Sequence, residues 1–246
     1  MRLKVIGCDV LARPIYLYAA QSPHTVDLEL FRYGLHQHPG QLRARLQAAI
    51  QANDNQGYDA LLLAYGLCGK STHGLKAGAT RLVMPRCHDC ITIFLGSRAR
   101  YNQEFTQCPG TYWYVQDYLE RSDGSGASLS IGANTGVEAE NTYQVYVDKY
   151  GKDNADYLME MMGAWQSHYS RAALIDLGIG SADHAANVAR DDAKRRGWTF
   201  EHLQGDNSLV RRLVYGEWDQ DFLVVPPGNT VAMTTGEDIL TAVPPA

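Results

Sequence analysis

Three short apolar runs near the start of the chain each end in a cysteine-bearing turn. Leu3 to Ile6 runs into Gly7-Cys8-Asp9, and Ala60 to Tyr65 into Gly66-Leu67-Cys68-Gly69. Arg81 to Met84 runs into Pro85-Arg86-Cys87-His88-Asp89-Cys90. Runs this short, bounded by turn residues, read as strands covered on both faces, as in a parallel sheet. In open α/β sheets, ligands bind outside the carboxyl ends of the strands. That is where this repeated pattern sets its thiols.

The segments between these runs supply helices and further strands. Val26 to Tyr33 alternates apolar and polar residues and reads as a strand. His36 to Gly40 is a turn. Gln41 to Asn53 carries Leu42, Leu46, Ala49 and Ile50 at helical spacing and ends before Gly57, completing a β-α-β unit. Ile91 to Leu95 opens a helix that Ser97 to Gln107 finishes, and Cys108 to Tyr114 is an aromatic loop or short strand. Arg121 to Gly136 is rich in Gly and Ser and reads as a linker. A helix is expected from Tyr143 to Met162. A second strand and helix alternation follows: strand Arg171 to Leu177, helix Ala185 to Arg195, strand Trp198 to Leu203, helix Ser208 to Tyr215 and strand Phe222 to Val225.

The expected class is α/β, with a doubly wound, mostly parallel sheet carrying the cysteine loops at its carboxyl edge. The expected division is an α/β half over 1–120, the linker over 121–136, and a second half over 137–246 free to join the same sheet.

A net charge of −5 and a pI near 5.9 argue against nucleic acid or an anionic membrane as partner. No apolar run approaches the ~20 residues of a membrane span, and the N-terminus lacks the apolar core of a signal peptide. A cytoplasmic location is the expectation. There, five cysteines are better read as metal ligands or catalytic thiols than as disulfides.

Several motifs have plainer readings. Cys68-Gly69-Lys70-Ser71-Thr72 invites a P-loop reading, but Ala64 stands where the motif needs its first glycine. Gly178-Ile179-Gly180-Ser181-Ala182-Asp183 lacks the third glycine of a dinucleotide fingerprint, and reads as a turn in which Ser181 or Asp183 caps a helix. Cys87-His88-Asp89-Cys90 has redox CxxC spacing, with Cys90 at a helix start that would lower a thiol pKa. Any one cysteine alone reads as a small buried hydrophobe. His36, His38 and His73 read as solvated turn residues. His88, inside the cysteine turn, is a candidate ligand or acid/base, with Asp9 as a supporting carboxylate.

The chain resembles the DUF1638 family. The resemblance rests on Gly7-Cys8, Tyr65 to Gly69, Pro85-Arg86, His88 to Thr92, Leu95 to Ser97, Pro109 to Tyr112, Gly205-Asp206 and Asp221 to Gly228. It implies no activity. It implies an association with corrinoid-dependent methyltransferases of methylated amines, and cysteines at Cys8, Cys68 and Cys90, with Cys87 and Lys70 departing from the pattern. Three thiolates from three strand ends leave a metal one open coordination position.

The resulting expectation is a metal-dependent enzyme of lyase or methyltransferase type acting on a small molecule. Its metal group would be a [4Fe–4S] cluster, slightly favoured, or Zn2+ activating a thiol. His88 and Asp89 are the candidate catalytic acid/base groups, and Arg86, Tyr65 and Tyr112 the candidate substrate contacts. The alternatives are a metal- or corrinoid-delivery protein for a methyltransferase system, and a CxxC thiol-redox protein.

Overall fold

The computed structural model describes residues 1–121, 147, 151–152, 168–236 and 238–245. The expected linker beyond Arg121 and most of the expected helix Tyr143 to Met162 lie outside these residues. The chain forms two compact units, residues 1–101 with 204–246, and residues 102–203.

The first unit is built on four parallel strands, β1 (Arg2–Cys8), β2 (Thr25–Phe31), β3 (Ala60–Ala64) and β4 (Leu82–Pro85). They stand in the order β2-β1-β3-β4, and an antiparallel edge strand, β8 (Phe222–Val225), pairs with β4. β3 and β4 are buried throughout, as their unbroken apolar composition requires. The parallel register sets Gly7 opposite Leu30 and Ala64.

Helices cover both faces of this sheet. The helix α1 (Ala12–Gln21) buries Ala12, Pro14 and Ile15. A Cβ on Gly7 would lie 3.1 Å from both Ile15 Cδ1 and Ala64 Cβ, so glycine lets α1 press onto β1. No side chain caps α1, and Pro14 sits in its first turn, where proline is tolerated. Those two features hid α1 from the sequence reading. On the other face, α2 (Pro39–Asn53) sets Leu42, Leu46, Ala49 and Ile50 against Ile6, Leu61, Leu63, Leu82 and Met84. The same cluster takes in Val231 and Leu240 from an antiparallel hairpin, β9 (Thr230–Met233) and β10 (Leu240–Val243), which the sequence did not signal.

The second unit has its own three-stranded sheet, in which β5 (Thr111–Val115) pairs parallel with β6 (Arg171–Asp176), and β7 (Thr199–Gln204) follows. The helix α4 (Asp183–Arg196) packs Ala185, Ala186, Ala189 and Ala193 against Tyr112, Tyr114, Ala172 and Leu174. Ala182, not Ser181 or Asp183, occupies its N-cap; the Ser181 hydroxyl donates to the Asp183 carboxylate instead. Buried Arg171 is held by Glu104 at 2.9 Å and Glu201 at 2.6 Å.

The division therefore differs from the expected halves. Phe222 to Val225 returns to the first sheet by pairing with β4, whereas β6 and β7 join β5. Backbone pairing between distant segments decides this, and hydropathy along the chain does not encode it.

Candidate functional site

Cys8 is the last residue of β1, and the neighbouring strand β3 runs on into Tyr65 and the Gly66–Lys70 turn. Two backbone hydrogen bonds join that turn to the turn after β4. The Leu67 N–H donates to the Cys87 carbonyl (2.9 Å) and the Cys68 N–H to the His88 carbonyl (2.8 Å). The approach is tight enough to demand glycine at 66, where a Cβ would stand 2.9 Å from Asp89 N and 3.0 Å from the Cys87 oxygen. Cys68, Gly69 and Lys70 all have positive φ, at 45°, 63° and 70°. A left-handed run costs ~1–2 kcal/mol for each residue that bears a Cβ. Its surroundings impose it: the Ser71 hydroxyl donates to the Cys68 carbonyl (2.6 Å), the Thr72 hydroxyl to Gly66 (3.1 Å), and Arg43 to Lys70 (2.8 Å). No helix follows Lys70, as the departure from the P-loop pattern requires.

The second turn ends in a short helix, α3 (Cys90–Leu95), with Cys90 its first residue. Asp89 is the N-cap, its carboxylate accepting from the N–H groups of Ile91 (3.1 Å) and Thr92 (3.4 Å). Gly96 closes the helix in the left-handed conformation.

The thiols share one electrostatic neighbourhood. Burial, then the charge of Asp89, pushes the Cys68 thiol up to about 12. Burial also holds Cys90 well above its ordinary value, followed by Asp89, Cys68, Cys8 and Cys87. Cys87, fully buried, is raised in the same way by burial, Cys68 and Asp89. The expected lowering of a thiol pKa at this helix start is thus reversed: burial dominates, and Asp89 takes the first-turn N–H groups. Burial raises Asp89 too, against the pull of the Thr92 and Ile91 N–H groups and His88.

Tyr65 completes the neighbourhood. Its side chain is buried (3% exposed), and burial and the charges of Cys8, Cys68 and Asp9 keep the phenol protonated. Its hydroxyl has no hydrogen-bond partner among the described residues. Buried polar groups are nearly always paired, and an orphan in a native protein points to water, an ion or a ligand.

A family model described as "Protein of unknown function (DUF1638)" matches residues 30–214 of the 246. The chain belongs to the DUF1638 family. Within this DUF1638 chain, Cys68, Cys87, His88, Asp89 and Cys90 fall inside the matched span and Cys8 outside it. No curated protein and no solved structure matches the sequence.

The remaining candidates are placed as follows. His88 is exposed at the turn. Arg86 spends its guanidinium on the carbonyls of Phe222 (3.2 Å) and Leu240 and pairs with Asp238 at 4.0 Å, tying the β4 turn to β8 and the hairpin. Asp9 accepts from the Tyr33 N–H (2.9 Å). Tyr112 belongs to the second unit, packed with Tyr114, Tyr169 and Trp198 at ring separations of 5.0, 5.7 and 5.7 Å.

His36, which in sequence reads as a solvated turn residue, is half-buried. It follows the carboxyl end of β2 in a 3-10 turn (Tyr33–Gln37), and burial, against a hydrogen bond to the Tyr33 backbone, lowers its pKa. Its distance from the end of a parallel strand was the available signal. All five cysteines are thiols without a disulfide, and Cys108 belongs to the second unit, beside the Ser170 hydroxyl (3.4 Å). Among the described residues, no three His, Cys, Asp or Glu side chains are gathered to hold a single metal ion.

Proposed function

We propose that this DUF1638 protein is a metal-dependent enzyme acting on a small molecule, with Cys8, Cys68 and Cys90 holding a [4Fe–4S] cluster. The observation that carries the reading is the pairing of the Cys68 and Cys87–Cys90 turns beside Cys8, which makes these thiols neighbours at one sheet edge. Single cysteines on three separate segments, without a tight pair among them, favour the cluster over zinc.

A cluster held by three cysteines supplies one open iron as a Lewis acid. In this reading Cys68 is a ligand aimed by its left-handed backbone, and Asp89 fixes the start of the helix that carries Cys90. Exposed His88 exchanges protons between the site and solvent. Arg86 steadies the base of its turn. A cytoplasmic location and a link to a corrinoid methyltransferase system are further parts of the proposal. The membrane is not invoked, since among the described residues no helix is long and apolar enough to cross one.

The thiol-redox alternative would require Cys87 to become a thiolate, which its complete burial opposes. A delivery protein would need exposed, exchangeable ligands, whereas these thiols are half-buried.

The test is metal and acid-labile sulfide content of protein purified without oxygen, beside a Cys8→Ala/Cys68→Ala/Cys90→Ala variant. About four irons and four sulfides per chain, absent from the variant, is the expected result. One zinc without sulfide would replace the cluster by thiol activation. No metal in either protein would overturn the site.

A further inference from the structure

Resting on the cluster reading, we propose that the Tyr65 hydroxyl donates a hydrogen bond to an oxygen of the substrate, so that the substrate is a small hydroxyl- or carboxylate-bearing molecule and not a thiol. Tyr65 is the first residue beyond β3, and its phenol oxygen lies within electrostatic reach of Cys8, Cys68 and Asp9. The side chain is buried and its hydroxyl unpartnered among the described residues, although the Cys8 and Cys68 thiols lie within electrostatic reach. A buried donor left unpaired is unfavourable, and an acceptor beyond the described residues, here an oxygen of the substrate, relieves it. Sulfur is a weak acceptor; hydroxyl and carboxylate oxygens are strong ones, and a hydrogen bond to a charged oxygen is the stronger kind. The two carboxylates nearby restrict this further. Asp9 is already engaged by the Tyr33 N–H and Asp89 by α3. Neither is set to receive Tyr65, and both disfavour a ligand of high negative charge.

The experiment titrates the anaerobically purified protein and its Tyr65→Phe variant with glycolate, acetate and thioglycolate by calorimetry, with metal and sulfide measured on both samples. The expected result is equal metal content and glycolate affinity weakened roughly ten- to hundredfold in the variant. If acetate and thioglycolate weaken as much, Tyr65 binds the shared carboxylate oxygen. If glycolate alone weakens, it binds the hydroxyl. Both results support the proposal. Unchanged glycolate affinity at equal metal content, a loss confined to thioglycolate, or no binding of glycolate or acetate to metal-loaded protein would overturn it and leave the cluster reading standing. Wild-type protein without metal would overturn both.

Discussion

At the residue scale, Tyr65 and Cys68 carry the arguments that can be checked without knowing the reaction. An orphan hydroxyl in the apolar side of a site costs more than a ring edge would, so Tyr65→Phe is expected to stabilise metal-free protein by about 1 kcal/mol. A shift of the urea midpoint reads this directly, and a loss of stability would show that the hydroxyl has a partner in the fold. Cys68 gives a pH dependence. Its folded pKa, about 12, lies above the ordinary thiol value, so the neutral thiol is the form the fold favours. That contribution is complete below pH 9 and is lost as pH rises toward 12, and Cys87 and Cys90 are shifted in the same direction. Metal-free protein is expected to lose stability across this window, and Cys68→Ala to flatten the slope in denaturant titrations at successive pH values. Under the proposed cluster reading, loading at neutral pH is expected to release thiol protons, since thiolates are the form that binds metal.

At the element scale, the site is made by two turns and not by strands alone. The pairing of Leu67 and Cys68 with Cys87 and His88 needs the absence of a side chain at Gly66, because the atoms in the way are backbone. Gly66→Ala is expected to cost about 1–3 kcal/mol as the turns separate. It should also lower metal content, which elemental analysis of the folded fraction would report. The first turn was legible in outline: the apolar run to Tyr65 and the glycines around Cys68 announce a strand and a tight turn. Its left-handed run was not legible, because Cys68 and Lys70 are not residues that favour positive φ and only the grip of Ser71, Thr72 and Arg43 holds them there. The second turn misled in one respect. Cys90 at a helix start promised an activated thiol, but α3 is short, Asp89 occupies its N–H groups, and burial decides the sign of the shift.

At the scale of the whole molecule, the chain divides into two compact units. Residues 102–203 are pinned by Arg171 between Glu104 and Glu201. Arg171→Met leaves the buried Glu104 without its cation, with an expected loss of about 3–5 kcal/mol measured by chemical denaturation. In the first unit, a group bound by the folded thiols and not by the unfolded chain adds about 2.7 kcal/mol when present at a hundred times its dissociation constant. Stripping the metal under anaerobic conditions is therefore expected to lower the calorimetric unfolding temperature of wild type and to leave the triple cysteine variant unmoved.

Local pattern determined much of this protein by itself. Apolar runs at β1, β3, β4 and β8, helical spacing in α2 and a short amphipathic α5 (Ser208–Tyr215) are properties of adjacent residues, and they emerged within a residue or two of their expected bounds. With them came the α/β class and its mostly parallel sheet. The tertiary structure decided the rest. Which strands share a sheet depends on backbone groups far apart in the chain, so β8 left the second half for the first. Whether Cys68 meets Cys87, whether Tyr65 finds a partner and which way a thiol titrates depend on what is packed around each atom. None of that is written in the order of the residues nearby.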